Sequence, residues 1–251
     1  MNTRAKKTNH QTPCTLCPVR QLGIFQRLPE AEVIKVQQYR SGQCVLPAKT
    51  LIYRQGEVHN HLYTVFTGWV MLYKTLSNGS RQILRYVLAG DFLSFQPDAR
   101  VPMTHSAQTL TETTLCVFPR QNLMQLFNEH PEVAAQITLI TARDITLSYE
   151  YLVNIGRKNA RERLAFLFLE IYHRVLPQTP ETGTTITFPL TQEDIADTVG
   201  LTLVHVNRTL RSLREEGLVQ LSHHKLTILD YPRLVSLAGF NLQNVMNQPL
   251  L

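Results

Sequence analysis

Residues 190–217 read LTQEDIADTVGLTLVHVNRTLRSLREEG and carry the most specific structural signal in the sequence. Thr191 stands where a helix N-cap is expected, because its hydroxyl can accept a hydrogen bond from the first turn. On the short helix that follows, Ala196 offers the small side chain that two closely crossing helices require. Gly200 comes four residues later and can adopt the positive φ of a tight turn, and Val206 lies six residues further on. This spacing is typical of a helix-turn-helix.

The second helix of the motif, which Thr202 is expected to cap, carries a set of polar residues. They are His205, Asn207, Arg208, Arg211 and Arg214. An arginine can form two hydrogen bonds with guanine O6 and N7 in the major groove, and an asparagine can do the same with adenine. We therefore predict that Arg208 contacts a base, and that Arg211 and Arg214 contact phosphates or form surface salt bridges with Glu215. The alternative is an ordinary amphipathic helix whose arginines lie in solvent.

A hairpin is predicted directly after this helix. Residues 218–221 and 225–229 alternate in hydrophobicity around Ser222-His223-His224, as two short strands and a turn do. Such a hairpin is the wing of a winged helix-turn-helix, which we assign to residues 157–251. Its two tip histidines either touch phosphate or form only a polar turn. The core-facing residues predicted on the preceding helix are Val206, Leu210 and Leu213. The candidate DNA-binding residues are Thr191, Thr202, His205, Asn207, Arg208 and Arg211.

Two longer helices are predicted before the motif, over residues 159–175 and 133–155. The earlier one has two apolar stripes, which are Ile137, Ile140, Leu147 and Tyr151, and beside them Ile145, Leu152 and Ile155. Two stripes imply two packing partners. We expect the second partner to be the same helix of another chain in a coiled coil, so residues 131–156 are the predicted dimerisation helix. Asp144 interrupts the first stripe, either as a solvated gap or as a source of like-charge repulsion across a dimer seam.

Residues 45–119 have the texture of a β-structure. Gly56, Gly68, Gly79 and Gly90 follow one another at eleven or twelve residues, as in successive short antiparallel strands of a sandwich or barrel. Ser77-Asn78-Gly79 is a strong hairpin signal. With a short helix around residues 29–38, these strands make up a sensor domain over residues 14–130, and residues 1–13 are expected to be a disordered tail. The predicted fold class is α+β, with an N-terminal antiparallel β-barrel, a long dimerisation helix and a C-terminal winged helix-turn-helix.

The composition is that of an ordinary globular protein, with 43% hydrophobic and 18% charged residues. No apolar run approaches the roughly 18 residues that a membrane span needs. Residues 1–13 lack the apolar stretch of a secretion signal, so we expect a cytoplasmic protein. The net charge of +6 is compatible with nucleic-acid binding. Residues 157–251, however, carry ten Lys and Arg against nine Asp and Glu, so net charge does not support the DNA-binding prediction for that domain.

From Cys14 to the wing, the sequence resembles the Crp/Fnr regulators (the cyclic-AMP receptor protein and anaerobic regulator types). The residues that carry the resemblance are Gly90-Asp91-Phe92 in the barrel, the stretch 156–165 (GRKNARERLA) and the helix-turn-helix over 190–213. The resemblance implies a cyclic-nucleotide-binding-like jelly roll and a homodimer on a palindromic operator in double-stranded DNA. It also implies control by a signal sensed in the barrel or at the N-terminal cysteines, RNA polymerase as a partner, and activation of transcription.

Two departures from the family pattern concern the signal. Cyclic-nucleotide-binding members carry a Gly-Glu-Leu…Arg-Ser segment, whose Glu holds the ribose and whose Arg holds the phosphate. Here residues 91–96 are DFLSFQ and residues 104–107 are THSA, while Arg100 is out of register. Cyclic AMP is therefore not expected as a ligand. Anaerobic-type members also contact their operator with Glu, Ser and Arg, where this chain has Val204, Asn207 and Arg208, so a different operator is expected.

The cysteines match the oxygen-sensing branch of the family only in part. That branch holds a [4Fe–4S] cluster with three N-terminal cysteines and one in the barrel. Cys14, Cys17 and Cys116 correspond to three of these, and Gly23 stands at the remaining position. A cluster held by thiolates wants four of them, and Cys44 or a nearby histidine could substitute. The alternative is that the cysteines are buried or bystander residues.

Two other classes of function compete with a DNA-binding regulator. An enzyme is not predicted, because the sequence has no nucleophile elbow, no phosphate-binding loop and no HExxH motif. A regulator that responds to a small ligand without redox sensing remains open. So does a ligand- or metal-binding protein whose helix-turn-helix makes only protein contacts. His59-Asn60-His61 could bind a metal or haem at a strand edge, although such a pair is more often a surface feature.

Overall fold

The computed structural model describes residues 6–7, 11–22, 28–96, 98, 100–176 and 183–244. Within these ranges it contains twelve β-strands and seven α-helices. The chain divides into two compact units, residues 1–140 and 141–251. No helix in the described ranges is long and apolar enough to cross a membrane.

The first unit is a jelly roll. Its nine strands are β1 (Lys6–Lys7), β2 (Gly42–Leu46), β3 (Leu51–Tyr53), β4 (His61–Thr67), β5 (Val70–Thr75), β6 (Arg81–Val87), β7 (Phe92–Leu93), β8 (Ser106–Thr109) and β9 (Thr113–Pro119). They form two antiparallel sheets with the strand orders β1-β2-β9-β4-β7 and β3-β8-β5-β6. In the described residues the two sheets do not close into one hydrogen-bonded barrel, so the predicted barrel takes the form of a two-sheet jelly roll.

The turns between these strands follow the predicted glycines. Gly56, Gly68, Gly79 and Gly90 all have positive φ, at 84°, 96°, 83° and 89°, a conformation that costs little only for glycine. At the predicted hairpin, the Gly79 N–H donates to the carbonyl of Leu76 at 2.9 Å. The regular glycine spacing therefore marked true strand ends.

Apolar clusters pack on both faces of the larger sheet. The inner cluster lies between the sheets and includes Val65, Val70 and Leu115. The outer cluster includes Phe118 of β9 and side chains of the three helices of this region. These helices are α1 (Glu30–Gln37), α2 (Leu123–Glu129) and α3 (Pro131–Arg157). Burying each such side chain contributes about 1.5–3 kcal/mol, so the helices are an integral part of the unit.

The predicted disordered tail over residues 1–13 is partly wrong. Lys6 and Lys7 pair with Val45 and Cys44 of β2. The other neighbour of β2 is β9, so β1 covers a sheet edge whose backbone groups would otherwise lack partners. Residues 1–5 and 8–10 lie outside the described residues, as does Gly23.

The second unit is built around a buried helix. Besides the C-terminal part of α3, its elements are α4 (Ala160–Val175), β10 (Thr185–Thr187), α5 (Gln192–Val199), α6 (Leu203–Glu215), β11 (Val219–Ser222), β12 (Lys225–Ile228) and α7 (Tyr231–Ala238). Asn159 begins α4 in a capping box, because its side chain accepts hydrogen bonds from the Arg161 and Glu162 N–H groups. Leu164, Phe168 and Ile171 of α4 are fully buried. The strands form a sheet with the order β10-β12-β11.

The boundary between the two units falls inside α3, between residues 140 and 141, whereas the predicted sensor domain ended at residue 130. The physical reason is local packing. Val133 and Ile137 in the first turns of α3 belong to the outer cluster of the jelly roll. The start of the predicted dimerisation helix is therefore also a core element of the first unit.

Candidate nucleic-acid interface

The helix-turn-helix forms as the sequence predicts. Thr191 caps α5, since its hydroxyl accepts a hydrogen bond from the Asp194 N–H at 3.1 Å. Gly200 ends α5 with φ 65° and ψ 44°, in the left-handed region. Thr202 caps α6 by accepting a hydrogen bond from the His205 N–H at 3.3 Å. Ala196 is buried, as expected for the residue where two helices cross.

One predicted core residue of α6 is placed differently. Val206 and Leu213 are buried, but Leu210 is only half-buried and Thr209 is buried in its stead. The Thr209 hydroxyl satisfies its hydrogen bond by donating to the His205 carbonyl at 2.8 Å. Residues three and four apart share one helix face, so either could face inward. The packing around α6 selects the threonine and turns Leu210 toward the wing.

A groove of about 690 Å³ separates α6 from the wing. Most of the predicted DNA-binding residues line it, namely Thr191, Asn207, Arg208 and Arg211, together with Gln192, Arg214, His223 and His224. The structure therefore brings the arginine-bearing side of α6, the start of α5 and the tip of the wing to one surface.

A second groove of about 610 Å³ runs along the other side of α6. Its cationic lining residues are Lys158, Arg161, Arg163 and Arg208, with His205 beside them, and no Asp or Glu lines it. Arg161 forms an ion pair with Glu216, and the Arg163 guanidinium donates to the Val199 carbonyl at 3.0 Å. Sequence reasoning missed this groove, because Lys158, Arg161 and Arg163 lie 40 to 45 residues before the start of α6 in the chain.

Arg208 lines both grooves. It is exposed, and within the described part of the chain no hydrogen bond or ion pair engages its guanidinium. Arg211, by contrast, donates to the Glu215 carboxylate at 2.7 Å, and this bond raises its pKa above the usual value. Val204 precedes Arg208 by one turn on the same face and is 79% exposed. The outward face of α6 thus presents Arg208 as an unpaired cation and Val204 as an exposed apolar side chain.

The wing is the predicted hairpin, with an unusual turn. His223 and His224 at its tip have φ 48° and 57°. Two successive positive φ values are those of a type I′ turn, which normally uses Asn and Gly. Each histidine has a Cβ, which makes a positive φ less favourable than it is for glycine, so the backbone at the tip is strained. Both imidazoles line the groove beside α6.

The cysteines lie in the first unit, and three of them converge. Cys14 and Cys17 are each close enough to Cys116 and to Arg40 for their charges to interact. The Gln43 side-chain amide donates to the Cys116 Sγ at 3.4 Å. Burial raises the pKa of Cys14 to about 11 and that of Cys17 above its usual range. These are therefore protonated, weakly reactive thiols at neutral pH in this fold.

Cys44 is also close enough to Cys116 for their charges to interact, but it lies on the other face of the sheet. Across the β2–β9 ladder it lies opposite Leu115, whereas Gln43 lies opposite Cys116. Successive residues of a strand point to opposite faces, so Cys44 packs against the inner cluster while Cys14 and Cys116 belong to the outer one. Among the described residues the outer face supplies three thiols, where a [4Fe–4S] cluster wants four. That donor set does not fit a complete four-cysteine cluster.

The stretch that departs from the cyclic-nucleotide pattern is occupied by internal contacts. In this stretch Asp91 is buried, pairs with Arg85 at 3.4 Å and accepts a hydrogen bond from the Leu88 N–H at 2.8 Å. Arg100 is exposed and pairs with Asp98 at 2.9 Å. His59, from the predicted metal or haem pair, instead shares a hydrogen bond of 3.0 Å with the Tyr63 hydroxyl. Burial lowers the pKa of His59 to about 4.

Two family models match the chain. The Crp-like helix-turn-helix domain matches residues 162–237, and the cyclic nucleotide-binding domain matches residues 43–130. The two matches fall on the winged helix-turn-helix and on the jelly roll.

Similar proteins match over most of the chain. The transcriptional activatory protein AadR of Rhodopseudomonas palustris is 30% identical over 225 residues, which are 90% of this chain and 92% of the relative. The nitrogen fixation regulation protein FixK of Bradyrhizobium diazoefficiens is 27% identical over 226 residues, 90% of this chain and 94% of the relative. Among solved structures, FixK2 from Bradyrhizobium japonicum is 28% identical, with a TM-score of 0.70 over 78% of this chain and 96% of that chain.

Proposed function

The chain belongs to the Crp/Fnr family of DNA-binding transcription regulators, and from that premise we propose that it binds a palindromic operator as a homodimer in which Arg208 of each α6 contacts a base. The observation that carries the proposal is the placement of Arg208, exposed and unpaired where two grooves meet. A guanidinium held by a neighbouring carboxylate would have to break that pair before it could contact guanine O6 and N7.

The other candidate residues suit contacts with the DNA backbone. Thr191 and Thr202 hold helix N-termini, where the free N–H groups and the helix dipole favour phosphate. Arg211 forms an ion pair with Glu215. A DNA phosphate can take the place of the Glu215 carboxylate as the anionic partner of Arg211. Asn207 lines the groove between α6 and the wing, and His205 lines the second groove along the other side of α6. Val204 can offer only an apolar contact, such as one with a thymine methyl group.

The proposed dimer contact is an exposed apolar stripe on α3. Its large side chains are Ile145, Tyr149 and Leu152, at 47%, 63% and 68% exposure. Their spacing of four and three residues is that of a coiled-coil seam. Ile155, which the sequence placed on this stripe, is half-buried. Asp144 forms an ion pair with Arg143 of its own chain at 3.0 Å. This pairing favours neither of the two interpretations of Asp144, as a solvated gap in the stripe or as an unpaired charge that repels the partner helix.

Binding of the full-length protein to duplexes selected from a random library tests the role of Arg208. We expect Arg208→Ala to weaken binding to the selected duplex by about 1–3 kcal/mol and to reduce its preference over random DNA. Arg211→Ala should weaken binding to both duplexes equally. It should also lower the slope of the logarithm of the binding constant against the logarithm of the salt concentration by about 1. Arg54→Ala, an equal charge change on the jelly roll, is the matched control and should change neither. The proposal fails if Arg208→Ala still separates the two duplexes as the parent protein does.

The operator-bound dimer is further proposed to act on RNA polymerase and to respond to a signal that is not sensed through a four-cysteine [4Fe–4S] cluster. The incomplete set of cysteines supports a signal other than a four-cysteine cluster. Iron and sulfide analysis with an absorption spectrum, on protein purified without oxygen, tests this. We expect a colourless protein without stoichiometric iron or sulfide that still binds the selected duplex. A brown protein that loses its colour in air and in Cys116→Ser would overturn the inference and leave the DNA-binding proposal standing.

A further inference from the structure

A histidine and two glutamates from three helical segments meet in the first unit. Glu32 lies on α1, His130 caps the C-terminus of α2, and Glu132 lies in the first turn of α3. One donor atom from each lies within 4.8 Å of the other two, and no other group of three such side chains in the described ranges is as close. Glu32 and His130 are 98 residues apart in the sequence, so no local spacing could have predicted the group.

The distances suit a shared cation. The His130 Nδ1 lies 3.0 Å from the Glu32 Oε2 and 3.9 Å from the Glu132 Oε1. Donors bound to one ion at about 2.0–2.2 Å lie roughly 3–3.5 Å apart in tetrahedral or octahedral geometry. The first distance lies at the lower end of that range and the second is longer, so a shift of the Glu132 carboxylate toward His130 would bring both distances within it.

We propose that Glu32, His130 and Glu132 bind a divalent transition-metal cation of the Zn²⁺, Co²⁺ or Ni²⁺ type, with water at the remaining positions. One imidazole with carboxylates suits these ions, whereas Mg²⁺ and Ca²⁺ prefer oxygen ligands alone. The His130 side chain is 5% exposed, and its ring makes a T-shaped contact with the Tyr39 ring at 5.9 Å between centroids, so the donor is held in place. The Glu132 side chain is 43% exposed and leaves an open side for entry.

A simple ion pair explains less of this arrangement. One proton on Nδ1 can serve one short hydrogen bond, and Glu32 already occupies that position. A second carboxylate near the same nitrogen adds negative charge, which a cation bound between the three side chains would neutralise. Lys35 offers partial compensation, since its ammonium group bonds the Glu32 Oε1 at 2.7 Å. This contact leaves the other Glu32 oxygen, Oε2, facing His130. The Lys35 side chain is 60% exposed, so it can move into solvent when a cation binds.

The cation would join α1 to the junction between α2 and α3. That junction is where the helix with the exposed apolar stripe begins. Metal binding would therefore fix the first turn of α3 to α1, the helix that follows Cys14 and Cys17 in the chain. The site needs neither the cysteines nor DNA, so it is independent of the proposed function.

Titration of the full-length protein with Co²⁺, followed by visible absorption, tests the site. We expect one Co²⁺ per chain with weak d–d bands and no intense near-ultraviolet sulfur charge-transfer band, and displacement by Zn²⁺. Glu132→Gln, on a half-exposed side chain that should not disturb folding, should weaken binding roughly tenfold or more. His130→Gln should do the same if circular dichroism shows that it folds, and Glu32→Gln provides the second carboxylate test.

Glu129→Gln is the matched control. Glu129 lies next to the site in sequence but accepts its hydrogen bonds from Tyr39 and Gln125, so its loss should leave Co²⁺ binding unchanged. The proposal is overturned if the parent protein takes up no Co²⁺ at millimolar concentration or if Glu132→Gln binds as the parent does. A spectrum dominated by sulfur charge transfer would also overturn it, because the ion would then be bound by the cysteines.

Discussion

Gly68 and Gly79 have similar positive φ values, 96° and 83°, in different surroundings. A Cβ on Gly68 would lie 2.5 Å from the Glu112 carbonyl oxygen and the Thr113 Oγ1, whereas a Cβ on Gly79 would have nothing within 4 Å. We expect Gly79→Ala to cost about 1–2 kcal/mol of unfolding free energy for the left-handed backbone. Gly68→Ala should cost about 1–3 kcal/mol more, because the added atom overlaps its neighbours. Urea unfolding measures both, and equal losses would show that the close approach at Gly68 relaxes without cost.

Single residues were predictable where their role is local. Thr191 and Gly200 act on the backbone within a few positions, so cap and turn chemistry in the sequence was sufficient to place them. Leu210 and Cys44 depend on distant neighbours. Which of two adjacent residues on an apolar stripe turns inward is decided by the packing around α6, and which face Cys44 occupies is decided by its register with β9. Neither the orientation of Leu210 nor the sheet face of Cys44 is therefore encoded in a local sequence pattern.

At the scale of elements, the exposed stripe of α3 predicts how the dimer can be broken. Leu152 is the most exposed side chain of the stripe, at 68%, and a glutamate buried there in a dimer contact would lose its hydration without a partner. We expect Leu152→Glu to shift the protein from dimer to monomer in sedimentation experiments. Thr146→Glu adds the same charge at an exposed position of α3 beside the stripe and should leave the dimer intact. A dimer that survives Leu152→Glu would place the contact elsewhere.

Elements bounded by turn chemistry were also predictable. The strands that end at glycines, the two helices of the motif and the wing all lie close to their expected positions, because each boundary is set by a few adjacent residues. The short strand Lys6–Lys7 was not predicted. Two lysines carry no strand signal of their own, and they form a strand because the edge of β2 offers them backbone partners 37 and 39 residues away. The Glu32–His130–Glu132 group was missed for the same reason of sequence distance.

At the scale of the whole molecule, a two-fold dimer limits the DNA that it can bind. Two copies of α6 related by a two-fold axis enter successive major grooves on one face of the duplex, so half-site centres should lie about 34–36 Å or 10–10.5 base pairs apart. The resemblance to the family implied a two-fold dimer on DNA. The exposed stripe on α3 is the proposed contact that would hold the two copies of α6 in this arrangement. The spacing is therefore a test of the assembly that does not depend on which bases Arg208 contacts.

Inserting five base pairs between the half-sites of the selected duplex turns one of them by about half a helical turn, to the opposite face. We expect the affinity of the full-length protein to fall to that for a duplex with a single half-site, because only one α6 can then reach its groove. Replacing the central five base pairs with the same composition keeps the spacing and should preserve most of the affinity, apart from small changes in DNA deformability. Leu152→Glu should show no difference between the parent and inserted duplexes, since a monomer occupies one half-site at a time. Equal binding of the parent protein to both duplexes would contradict a two-fold complex and would leave each α6 acting alone.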